Sequence, residues 1–133
     1  MVHALETIHH LLKPGGTLID LRPKGIPAEF WGWRGAASAL LGHLQETDDY
    51  IEYRHAAWAM EQAVDNQWFR LLKTGEYEFV IHAGSFEEIK TYLDVEWIDA
   101  VIPLEVQKRS DEMEAERIVL HDLIHIGVLI AVK

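Results

Sequence analysis

Lys13-Pro14-Gly15-Gly16 is the strongest constraint in this chain, because it stops a helix and turns the backbone within four residues. Ahead of it, Ala4, Leu5, Ile8, Leu11 and Leu12 recur at helical spacing and predict an amphipathic helix over residues 3–12. Beyond it, Thr17-Leu18-Ile19-Asp20-Leu21 reads as a short buried strand. That strand is apolar on both faces, as an interior strand of a larger sheet is. No Ser, Thr, Asp or Asn precedes the helix to cap it, so the expectation is of a design whose preceding part is missing.

The rest of the chain predicts further elements. Phe30, Trp31 and Trp33 within Glu29 to Arg34, then Gly35, then Ala36 to Leu44, read as a β-hairpin turning near Gly35. Trp31 and Trp33 flank Gly32 and so share one side of their strand, either core or partner surface. Thr47 is the expected N-cap of a long helix reaching about Leu72, on the spacing of Tyr53, Ala57, Met60, Val64, Trp68 and Leu71. Gly75 is expected to end it, and Tyr77 to Ile81 to form a strand. Ser85-Phe86-Glu87-Glu88 is a capping box opening a short helix. Trp97 to Ile102 is a strand candidate, and Pro103 is expected to start a solvated helix up to about Glu116. Ile118 to Val132 reads as a buried strand pair or one long bent strand, too short for a membrane span and broken by His121, Asp122 and His125. The expected class is α+β in a single domain over 1–133, a mixed, largely antiparallel sheet with helices mainly on one face.

Composition narrows the function classes. The 133 residues are 49% apolar, enough for a core. Lys plus Arg number 12 and Asp plus Glu 22, a net charge of −10 that disfavours phosphate backbones and anionic membranes. The expectation is no nucleic acid and no membrane. The absence of cysteine removes disulfides, zinc–thiolate sites and thiol nucleophiles, and accords with a cytoplasmic location. Charge is uneven along the chain. Residues 1–45 carry four basic and three acidic groups, +1, leaving −11 on the remainder. The near-neutral front portion is therefore the expected partner surface.

Three groups of side chains are candidates for chemistry. Asp20 and Arg22 sit at the carboxyl end of the first strand, where open α/β sheets place ligands, or else form a local ion pair. His43, Glu46, Asp48, Asp49, Tyr50, Tyr53, Arg54 and His55 form the densest polar cluster. A carboxylate beside a histidine there would serve general acid–base chemistry, and the alternative is a capped, acidic helix start. His121 and His125 would share a helix face as in zinc-binding H-E-x-x-H helices, but the flanking residues favour a strand, so no metal is expected.

The segment His9-His10-Leu11-Leu12-Lys13-Pro14-Gly15-Gly16-Thr17-Leu18-Ile19-Asp20 resembles the helix–KPGG–strand passage of class I S-adenosylmethionine-dependent methyltransferases. There it is the fourth crossover helix leading into the fifth strand. Gly42-His43-Leu44-Gln45-Glu46-Thr47-Asp48-Asp49 is similar to a stretch of some bacterial methyltransferase-like proteins. The resemblance covers the chain in outline as the family's C-terminal half, and implies a partial Rossmann-like methyltransferase fold. In that family a glycine-rich loop and an acidic residue hold the cofactor over the first strands, and no strand–GxGxG–helix passage occurs here. The implication is a truncated or degenerate domain, not catalytically self-sufficient. It would take S-adenosylmethionine only with a complementary N-terminal half, and act as a homodimer or with a complementary protein chain. One chain of a split methyltransferase is a further expectation. A different class stays open: a dimeric small-molecule-binding protein or enzyme with an aromatic pocket, lined by Trp31, Trp33 and Tyr53.

Overall fold

A computed structural model describes residues 1–133. The chain is α+β, with four helices and mostly antiparallel strands. It packs as two compact units, Met1–Gly25, Ile51–Tyr77 and Ile124–Lys133 forming one, Ile26–Tyr50 and Glu78–Leu123 the other.

The first unit contains α1 (Val2–Leu11), β1 (Thr17–Pro23) and α2 (Ile51–Asp65). To these it adds the leading part of β5 (Phe69–Ala83) and the trailing part of β7 (Arg117–Ala131). As its sequence implies, α1 starts without a side-chain cap. Its other end is tied down: Gly15 donates its backbone N–H to Ala131 at 3.0 Å, and Ala131 donates to Gly16 at 2.8 Å. The Lys133 ammonium donates to the carbonyls of His10 and Leu12, placing a cation where the helix leaves acceptors unpaired. β1 pairs antiparallel with β7 from Thr17↔Ile130 to Pro23↔Ile124. Leu5, Ala59, Ala63, Phe69, Leu129 and Ala131 form the core of this unit.

Only one face of β1 is covered. Ile19 and Leu21 on the other face remain 64% and 58% exposed. The register sets them opposite Val128 and Ile126.

The second unit contains β2 (Glu29–Arg34), β3 (Ala37–His43), β4 (Gln45–Glu46), α3 (Phe86–Glu96), β6 (Ala100–Val101) and α4 (Leu104–Glu112). The hairpin turns at Gly35 as expected, with a bulge between Phe30 and Trp31. β2 also pairs with β7, from Glu29↔His121 to Trp33↔Arg117. Phe30, Leu41, Leu44, Ile118 and Leu120 meet Ile89, Leu93 and Val106 in a closed core. Burying a side chain the size of Phe30 contributes about 2–3 kcal/mol. Gly32 lies on this inner side, where an added Cβ would meet Met113 Sδ at 2.6 Å and Leu41 Cδ2 at 3.0 Å. Trp31 and Trp33 take the other side of β2, with the Arg117 guanidinium 5.1 Å over the Trp33 ring. The capping box forms at α3, where Ser85 Oγ accepts from the Glu88 N–H at 3.1 Å. The Glu88 carboxylate in turn accepts from the N–H of Gly84 at 2.8 Å.

Several boundaries depart from the sequence reading. α2 begins at Ile51, not Thr47, because Asp49 and Tyr50 hold left-handed backbone (φ 53° and 61°). It ends at Asp65, not Leu72. Trp68 lies beyond the helix and packs on the first unit's core. Leu71 and Gly75 belong to β5, a single strand of 15 residues. The strand expected over 97–102 shrinks to Ala100–Val101, since the Trp97 N–H closes α3 onto Leu93. Pro103 stands at the N-cap of α4 rather than inside it. Ile118 to Val132 resolves as one strand.

Candidate functional site

The first unit carries a cavity of about 310 Å³ between α2 and the sheet. Strand alternation sends Asp20 and Arg22 toward α2, the face opposite to Ile19 and Leu21. Asp20 Oδ2 accepts from Arg22 Nε at 3.0 Å and lies 3.5 Å from His125 Nε2. All three side chains are largely shielded from solvent. The local ion pair that the sequence offered for Asp20 and Arg22 is thus present, and a histidine joins it.

Helical spacing aligns Ala57, Met60, Glu61, Val64 and Asp65 along the facing wall. Leu71, Thr74, Gly127 and Leu129 complete the lining. Gly127 keeps the floor low. A Cβ there would stand 3.3 Å from His125 Nε2 and 3.5 Å from Asp20 Cβ, at the foot of the polar group. The arrangement is an apolar hollow with one oriented carboxylate–imidazole–guanidinium cluster, the usual makeup of a small-molecule site.

The remaining polar candidates divide between the units. Tyr53 and Arg54 lie on α2 in the first, with Tyr53 Cβ 3.2 Å from where a Gly25 side chain would begin. His43, Glu46 and Tyr50 lie in the second, where His43 is exposed at the end of β3. Glu46 Oε1 accepts from Trp97 Nε1 at 2.9 Å, and the Tyr50 hydroxyl donates to the Leu44 carbonyl oxygen at 2.6 Å. Burial, and then the carboxylates Glu46, Asp122, Asp48 and Asp49, push the Tyr50 hydroxyl up to about 12. Trp31 and Trp33 belong to the second unit and Tyr53 to the first.

His121 and His125 stand on a strand, where a rise of about 3.3 Å per residue replaces the shared helical turn a metal pair needs. Each takes its own carboxylate, His121 facing Glu78 at 3.5 Å and His125 facing Asp20. No group of three or more His, Asp or Glu is arranged to hold a metal ion.

Asp122, named in the sequence only as a polar break in the apolar run 118–132, turns out to be buried. It is only 6% exposed, and burial, then the Glu46 charge, raise its carboxyl to about 6 against the Leu123 N–H that lowers it. Its phase was visible: Asp122 continues the alternation of Ile118 and Leu120, both core residues.

Compared with protein-family models, with curated proteins and with solved structures, the chain matches none.

Proposed function

We propose that this chain is a methyltransferase-like C-terminal half that is not catalytically self-sufficient and acts by association, with itself or with a complementary chain. The observation that carries the reading is the bare outer face of β1. Ile19 and Leu21 are large, apolar and mostly exposed, on a strand that ends the hydrogen-bonded order β1-β7-β2-β3. A terminal strand with an apolar face is a template for another chain. Charge supports the same surface, since β1 belongs to the 45 residues of net charge +1 while the remaining residues hold −11. The Lys13-Pro14-Gly15-Gly16 passage leading into β1 is the basis for the methyltransferase assignment. S-adenosylmethionine would enter only with a glycine-rich N-terminal half.

Light scattering at micromolar concentration, paired with calorimetric titration, tests this. The chain should run as a dimer or larger, Ile19→Lys with Leu21→Lys should return it to monomer, and S-adenosylmethionine should give no binding heat. A monodisperse parent monomer overturns self-association, and micromolar affinity of the isolated chain for S-adenosylmethionine overturns the reading as a whole.

A further inference from the structure

We infer that the cavity behind Asp20 binds a small organic cation with an apolar body, an amine above all. The inference is independent of the association proposed for β1, because every lining residue belongs to the first unit and lies on the opposite side of the strand. Size comes first. About 310 Å³ is at the lower end of small-molecule sites, room for a bicyclic ring with a short side chain. The walls come second: Met60, Val64, Leu71 and Leu129 offer thioether and aliphatic surface against which a ring can pack.

Charge selects the sign. The lining holds three carboxylates, Asp20, Glu61 and Asp65, against one guanidinium, Arg22. Arg22 is already engaged by Asp20 at 3.0 Å. Glu61 and Asp65 are four residues apart on the exposed margin of α2, so both reach the mouth of the cavity and neither is in an ion pair. An anion entering here would meet two uncompensated charges of its own sign, and an ammonium would meet two acceptors. At the inner end, Gly127 leaves the His125 ring accessible, so a ring N–H or hydroxyl of the ligand can reach the imidazole. The ligand would span from the carboxylate mouth to the histidine floor.

Two probes of equal shape and opposite charge decide it: tryptamine and indole-3-propionate, titrated against the isotopically labelled chain by nuclear magnetic resonance. Tryptamine should move the amide signals of Gly127 and Thr74 and bind about tenfold more tightly than the acid, the ratio expected of two partly solvated charge contacts. Glu61→Gln with Asp65→Asn, both on an exposed helix surface, should keep the fold and erase that preference. Gly127→Val should weaken both probes by filling the floor. Equal affinity for the two probes, shifts confined to other residues, or a preference that survives the double substitution would each overturn the inference.

Discussion

The Tyr50 hydroxyl donates to the Leu44 carbonyl oxygen at 2.6 Å, and that bond ties the left-handed residue before α2 back to the end of β3 across β4. Leu44 is fully buried, so its carbonyl has no water to fall back on. Tyr50→Phe keeps the ring and removes the donor, leaving a buried acceptor unpaired. Urea unfolding should show a loss of about 1–3 kcal/mol. A variant as stable as the parent would mean that the carbonyl finds another donor.

Asp122 makes stability depend on pH in an unusual direction for an acid. Its folded value of about 6 lies above the ordinary 3.8, so the folded state prefers the protonated carboxyl. The stabilisation is complete below pH 4 and is lost as pH rises through 6; by pH 7 the ionised group costs up to about 3 kcal/mol. Asp122→Asn removes that cost. The variant and parent should match in urea melts near pH 4 and diverge up to pH 7, with the variant more stable. A gap that stays constant from pH 4 to pH 8 would refute the assignment.

The end of α2 shows why part of this fold was hidden in the sequence. Trp68 donates its backbone N–H to Ala63 at 3.0 Å and Gln67 donates to Val64 at 2.9 Å, the reciprocal pattern of a Schellman stop. Gln67 supplies the left-handed residue, φ 60°, where glycine is usual. With no glycine to mark it, the apolar period ran on through Trp68 and Leu71 and the predicted helix overshot. α4 closes the same way at Glu114, φ 52°. By contrast, the Lys13-Pro14-Gly15-Gly16 stop, the Gly35 hairpin and the Ser85 cap were legible, because each depends on a residue whose own chemistry dictates the turn. Asp20 and Arg22 were legible as a pair for a similar local reason. That His125 joins them is set by the β1–β7 register, which no local pattern carries.

Gln67→Gly follows from that stop. Glycine takes the left-handed backbone without the strain of a Cβ, a gain of about 1–2 kcal/mol, offset by about 0.5–1 kcal/mol of unfolded-chain entropy. A modest rise in melting temperature is expected. A fall would show that the glutamine side chain contributes contacts of its own.

Gly32 is a position where the second unit has no free room for a methyl group. On the inner side of β2, an added Cβ meets Met113 Sδ at 2.6 Å, which the flexible thioether can relieve, and Leu41 Cδ2 at 3.0 Å, which it cannot. Leu41 is locked in a core with Phe30 and Val106. Gly32→Ala should therefore cost about 1–3 kcal/mol, the range for overpacking. Met113→Ala should restore part of the loss by opening the first of the two contacts, and Gly32→Val should cost more than Gly32→Ala. Thermal unfolding of the two single variants and the double variant measures the coupling. If the effects of Gly32→Ala and Met113→Ala simply add, the close approach of Met113 to β2 is not what limits this site.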